Sequence, residues 1–266
     1  MMRATLTLTH RELVRFFRQP HRVIGSLAQP LLIWAFLGGG FTASFRAPGM
    51  EHLSYAEYFY PGVLLMLMLF SGIFSTITLI EDRNQGLLQG VLVAPVARMA
   101  IVLGKVAGGI AISLIQAVPL LLAAPLLGIP LGWAGAGWVV WGFLLSSVGF
   151  TALGFLIAWN MESTAGFHAV MSVFLMPLWM LSGALFPLDN SPAWLWSMMV
   201  VNPVTHALTL IRTPLYHPPM EFLASRDYWL AMTITLAWAV GTLMLALWRV
   251  NRVERGAPPE DGSCAL

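Results

Sequence analysis

The sequence predicts an all-α polytopic membrane protein, and three of its features do so. Of the 266 residues, 58% are hydrophobic and only 10% are charged, against roughly a quarter charged in an average soluble chain. The shortage is concentrated, because the 56 residues between Lys105 and Glu162 contain no Asp, Glu, Lys or Arg; no water-soluble surface can be built from such a stretch. The apolar runs are continuous and rich in Leu, Met, Ala and Gly, whereas an outer-membrane barrel would alternate in segments of about ten residues.

Residues 3–22 carry Arg3, Arg11, Arg15, Arg18 and Arg22, too much charge over too great a length for the n-region of a cleavable signal peptide. The last four step by 4, 3 and 4 and so share one helical face, while Leu6, Leu13, Phe16 and Phe17 gather on another. This reads as an amphipathic interfacial helix lying on an anionic leaflet, or as a solvated basic tail before the first span.

At about 1.5 Å rise per residue, roughly 20 apolar residues cross a ~30 Å hydrocarbon core. Uncharged windows of that length place six transmembrane helices at about 23–41, 58–80, 106–128, 136–159, 165–187 and 228–248. A seventh window, 190–211, is interrupted by Pro192 and by the Asn202-Pro203 pair. Charge decides between six and seven. With six spans and both termini inside, eleven of the fourteen basic residues are cytoplasmic and only Arg46, Arg212 and Arg226 are outside; a seventh span would push the tail arginines outward, against the positive-inside bias. Residues 190–211 therefore read as re-entrant or interfacial helices between spans five and six, with Trp194, Trp196 and Trp229 at the headgroup level. Residues 1–255 form one transmembrane domain, and 256–266, rich in Pro, Gly and acidic residues, form a disordered cytoplasmic tail holding the lone cysteine, Cys264.

The informative loop is 81–98, EDRNQGLLQGVLVAPVAR, between spans two and three. Glu81 and Asp82 suit the positive end of a short helix, Leu87, Leu88, Val91 and Leu92 share one apolar face, and Pro95 ends it. A short amphipathic helix at the cytoplasmic surface needs a cover for its apolar face, either the ends of the protein's own spans or a soluble partner.

The series Glu81, Gly86, Leu88, Leu92 to Pro95 and Arg98, followed by Leu103 to Lys105, resembles the cytoplasmic loop of ABC-2 type transporter permeases, the membrane subunits of many ATP-driven exporters. A second block, SGALFPLDNSPAWL from Ser182 to Leu195, then NPVTHAL from Asn202 to Leu208 and Arg212, is similar to that family's ending. The resemblance covers nearly the whole chain. It implies that Glu81, Asp82, Arg83, Gly86, Leu87, Leu88, Gln89, Leu92, Pro95 and Arg98 belong to a coupling helix contacting an ATP-binding cassette ATPase subunit, and that Arg11, Arg15, Arg18 and Arg22 lie on a connecting helix. At Gln89 the family often has an acidic residue, so no ion pair is carried over there. A second permease copy, identical or closely related, would complete a pathway for export from the cytoplasmic side of a bacterial inner membrane, with ATP and Mg held by the ATPase and none bound here. The family moves drugs, glycolipids and polysaccharides, so the cargo stays open.

Missing motifs narrow the field. No GxxxxGK[ST] phosphate cradle, HExxH, GxSxG or CxxC occurs, so no catalytic residues are assigned. Charges are nearly absent from the spans, which disfavours a secondary transporter, and no mid-membrane polar constellation marks a membrane enzyme or assembly factor. His52, His206 and His217 are too separated to share a metal site, His168 reads as an ordinary hydrogen-bonded residue of the bundle, and nothing points to nucleic acid. The Gly104/Gly108 pair suits close helix packing. In the fifth span Phe174, Trp179 and Phe186 are candidates for a substrate wall or for packing surface.

Overall fold

The computed structural model describes residues 1–41, 53–87, 90, 97–129, 132–188 and 191–252, and those residues are helical with no strand. Helix α1 (Met2–Phe17) packs along the first half of the third long helix, and α2 (Pro20–Gly40) is the first long apolar helix. Next come α3 (Tyr55–Ser75) and its continuation α4 (Ile77–Asn84), then α5 (Arg98–Ala123), α6 (Trp133–Trp159) and α7 (Thr164–Trp179), which runs into a widened turn at Met180–Ala184. A bent pair follows, α8 (Ala193–Val201) and α9 (Pro203–Tyr216), then the short α10 (Pro219–Ala224) and the long α11 (Arg226–Arg252). Among the described residues six helices are long and apolar enough to cross a membrane, and the α8–α9 pair, bent by 81° at Asn202, would make a seventh if counted as one span.

Helix α3 is the axis. It begins with a capping box in which Glu57 Oε2 accepts from the Ser54 amide at 2.6 Å and the Ser54 hydroxyl accepts from the Glu57 amide at 3.3 Å, meeting donors that a helix start leaves unpaired. Tyr58 to Leu69 are then buried continuously against α2, α5 and α6. The outer helices are apolar on the opposite side: Phe36 on α2, Val173 and Phe174 on α7 and Met244 on α11 are all exposed. A helix apolar all round with only one face packed is built for hydrocarbon.

Close approach at one seam depends on missing side chains. Helix α1 crosses α5 at Gly104 and Gly108, where an added Cβ would sit 2.6 Å from Leu8 Cβ and 2.8 Å from Glu12 Cβ. The four-residue spacing puts both glycines on one face of α5, and α1 lies in the groove they leave. The Thr9 hydroxyl, 3.2 Å from the Gly104 carbonyl, lies across the same seam.

The structure departs from the sequence expectations in several places. The four-arginine face is split: α1 stops at Phe17, Arg18 caps it, and Pro20, which suits a first helical turn, opens α2, to which Arg22 belongs. Glu81, Asp82 and Arg83 do not open a new helix but close α4, because Thr76 restarts the second span instead of ending it. Arg98 opens α5, so the third long helix starts eight residues before the expected window and carries Lys105 inside it. Leu88, Gln89, Leu92 and Pro95, with Val91, lie outside the described residues, as does the 256–266 tail.

The glycine groove makes the α1 seam testable. Gly104→Leu should displace α1 and cost about 1–3 kcal/mol by overpacking, whereas Gly137→Ala on α6, where a Cβ meets nothing within 4 Å, should be neutral or stabilising by up to about 1 kcal/mol. Thermal unfolding of the detergent-solubilised protein checks both; equal stability of the two variants would refute the groove's role.

Candidate functional site

Acidic residues at a helix C-terminus face the negative end of the helix dipole, so Glu81 and Asp82 at the end of α4 need cations. They have three. Arg11 forks onto Asp82, with Nη2 donating to Oδ1 at 2.7 Å and Nη1 to Oδ2 at 3.2 Å. Arg15, one turn further along α1, donates to Asp82 Oδ1 at 2.8 Å and to Glu81 Oε2 at 2.6 Å. Lys105 reaches over from α5 and places Nζ 2.6 Å from Asp82 Oδ2 and 2.7 Å from Glu12 Oε1, while donating to the Thr78 hydroxyl at 2.9 Å. Thr78 in turn donates to Glu12 Oε2 at 2.7 Å.

Three acids and three bases are thus balanced. Asp82 is 2% exposed, and Glu12 and Lys105 are 4% exposed each. Burying such charges costs several kcal/mol per ion and is tolerated only when partners and hydrogen bonds compensate. The compensation here comes from three elements, α1, α4 and α5, so none of the three can move alone without stranding a charge.

The same end is pinned to the turn between α6 and α7. Arg83 donates to the carbonyls of Trp159 (2.7 Å) and Met161 (2.9 Å), Asn84 donates to that of Glu162 (3.2 Å), and Arg249 on α11 donates to Asn160 Oδ1 (3.0 Å). Immediately after α4, Gly86 takes the left-handed conformation (φ 72°) that only glycine adopts freely, and the exposed Leu87 follows. The chain leaves the charge cluster there and re-enters it through Arg98 and α5.

A second clamp holds the opposite end. Arg212 on α9 lies 4.2 Å from the Tyr58 ring centre and donates to the Gly183 carbonyl at 2.9 Å, which also accepts from the Tyr58 hydroxyl at 2.9 Å. Gly183 is buried in the widened turn at φ 81°, the left-handed conformation that favours glycine. Asn202 accounts for the bend in the α8–α9 pair: its Oδ1 caps α9 by accepting from the Val204 amide, and its Nδ2 donates to the Leu178 carbonyl at 2.6 Å.

The residues singled out from sequence therefore separate. Arg11, Arg15, Glu81 and Asp82 meet in the cluster, and Arg83 joins its rim. Arg18 remains exposed at the end of α1, and Gly86, Leu87 and Arg98 flank the 88–97 segment. Trp179 takes the packing role of the two that the sequence allowed: it is buried, donates its indole N–H to the Gly62 carbonyl at 2.8 Å and packs on Phe59. Phe174 is 66% exposed and Phe186 half-buried. Glu12, Thr78 and Lys105 were missed as site residues; two of them had a signal, Glu12 as the one acid among the arginines of α1 and Lys105 as the one base inside an apolar helix, while Thr78 had none. Among the described residues no group of three His, Cys, Asp or Glu is placed to hold a metal ion.

Comparison with known proteins puts this architecture in context. The family model described as ABC-2 type transporter matches residues 3–216. The chain is 33% identical over 227 residues to the protein named transport permease ycf38 of Cyanophora paradoxa, covering 84% of this chain and 74% of that one. It is 28% identical to the protein named multidrug ABC transporter permease YbhR of Escherichia coli strain K12, covering 58% of this chain and 42% of that one. It is 26% identical to the daunorubicin resistance ABC transporter permease protein DrrB1 of Streptomyces coeruleorubidus, covering 79% and 74%.

Removing one member of a buried pair is expected to cost more than removing both. Lys105→Met should destabilise by about 3–5 kcal/mol, and adding Glu12→Gln, which restores the charge balance, should recover a large part of the loss. Thermal melting in detergent reads both variants, and a double variant less stable than Lys105→Met alone would overturn the cluster's account.

Proposed function

Since the chain belongs to the ABC-2 type transporter family and is a membrane permease subunit of an ABC transporter, we propose that it works as an exporter half. Two copies, or this chain and a close relative, form a pathway across a bacterial inner membrane. Both termini and the 85–97 segment face the cytoplasm, and residues 1–255 act as one transmembrane domain. A separate ATP-binding cassette ATPase docks on a coupling helix in the 85–97 segment and supplies the energy, holding Mg-ATP itself. The bent α8–α9 pair is then a re-entrant element on the far side. Cargo of apolar character fits the exposed Val173 and Phe174 of α7 and Met180 just after it, and two of the similar proteins are named for multidrug and daunorubicin-resistance transport.

The observation that carries this reading is where the 85–97 segment is anchored. It leaves α4 just after the Asp82 cluster and returns into α5 just before Lys105. A push on the segment therefore reaches α1, α4 and α5 together, because the buried ion pairs penalise any motion that separates them. Displacement passes to the second and third spans and, through Arg83, to the turn before α7. Sidedness is supported by the positive-inside bias of the eleven basic residues.

Replacing Leu87, Leu88 and Leu92 by Asp should abolish co-purification of the ATPase with the tagged permease while membrane insertion and melting temperature stay near wild type. Undiminished co-purification together with undiminished transport after that change would sink the coupling-segment assignment.

A further inference from the structure

One cavity of about 420 Å³ lies within a single chain, between α1, α2, α3, α4, α5 and α7, and its size falls in the range of small-molecule pockets. Its floor is polar and incompletely paired. Gln116 on α5 is 4% exposed and Ser71 on α3 is 6% exposed, yet Gln116 Nε2 and Ser71 Oγ have no hydrogen-bond partner among the described residues. The Ser26 hydroxyl of α2 donates to Gln116 Oε1 at 2.8 Å and lies 2.9 Å from the Val23 carbonyl. Turning the amide over would let Nε2 donate to Ser26 but would leave Oε1 bare, so either orientation leaves one buried amide atom unmet. Natural interiors seldom leave such groups unpaired without a reason.

The walls are apolar, formed chiefly by Met66, Phe70, Phe74 and Ile112, with the His168 ring 4.9 Å from that of Phe74. Charge is nearly absent: Glu81 is the sole Asp, Glu, Lys or Arg among the lining residues, and Arg15 already holds its carboxylate at 2.6 Å. An ion entering this cleft would lose its hydration without gaining a counter-charge.

We infer that the cleft is a binding site for an uncharged amphipathic molecule, whose hydroxyl or carbonyl pairs with the Gln116 amide and the Ser71 hydroxyl while its apolar body packs on Phe70 and Phe74. The chemistry is common to a small cargo molecule and to the uncharged glycerol-ester part of a resident lipid. The inference concerns binding alone and stands whether or not the chain exports anything.

The test uses the full chain in phosphatidylcholine nanodiscs, titrated with Nile red (uncharged, carbonyl-bearing), rhodamine 6G (cationic) and anilinonaphthalene sulfonate (anionic), each corrected for empty nanodiscs. Nile red should bind saturably and at least roughly tenfold tighter than either charged dye, and Gln116→Met and Ser71→Ala should each weaken it roughly tenfold, as expected for loss of one buried hydrogen bond. Gly25→Phe provides a variant that leaves the polar floor intact: Gly25 lines the cleft and a Cβ there meets nothing within 4 Å, so the ring should fill the space and abolish Nile red binding even if Gln116→Met fails to fold. Native mass spectrometry separates the two sources, since release of a co-purified lipid on Nile red addition identifies a lipid occupant and binding without release identifies a free small molecule. Non-saturable Nile red binding, equal binding of a charged dye, or unchanged binding in Gly25→Phe would overturn the assignment.

Discussion

The cost of removing a charge from water governs this molecule. Asp82, Glu12 and Lys105 are buried at the end of an otherwise apolar bundle, and they persist there only because each is within hydrogen-bonding reach of the others or of Arg11, Arg15 and Thr78. Much of the local architecture follows from this condition. Helix α1 must lie close enough to α5 for Glu12 to meet Lys105, which requires the bare backbone at Gly104 and Gly108. Helix α4 must continue the second span far enough to deliver Asp82 to the same point, which is why Thr76 redirects the helix without stopping it.

The two ends of the bundle solve the anchoring problem with different chemistry. One end uses opposite charges contributed by separate helices, strong and intolerant of a missing partner. The other uses a single cation, Arg212, held by a tyrosine face and by backbone carbonyls. Displacing Arg212 strands a single cation, whereas pulling apart the Lys105 end strands acids and bases contributed by three helices, so that end moves as a block. Helix α3 joins them, with Tyr58 near one clamp and the α4 extension in the other. The Gln116 floor brings together two buried polar atoms on neighbouring helices, Gln116 Nε2 and Ser71 Oγ, that have no partners among the described residues and whose residues line a shared cavity.

The helices were legible in the sequence because hydrocarbon imposes a length and a composition that any reader can count. Windows at 23–41, 136–159 and 228–248 correspond closely to α2, α6 and α11. The break at Asn202-Pro203 was equally plain, since proline removes an amide and restricts its predecessor. What sequence could not supply was pairing between distant elements. Arg11 and Arg15 share a helical face, which fits headgroups as well as it fits carboxylates, and only the fold brings Asp82, 71 residues from Arg11, into their reach. Glu81 and Asp82 suited a helix start by dipole logic; they end a helix because the cations of α1 and α5 outweigh the dipole. Trp179 read as a wall candidate from an aromatic-rich span, but burial is decided by the neighbour it meets, here Gly62 and Phe59.

The Gly104/Gly108 groove also has a meaning in time. Thr9 and Gly104 are 95 residues apart, and at a synthesis rate of about 5–20 residues per second helix α1 is complete roughly 5–20 s before its seat on α5 exists. During that interval Glu12 has no Lys105 and the arginines have no Asp82. Helix α1 therefore has to wait for its seat, and its docking reports that the second and third spans have been inserted together.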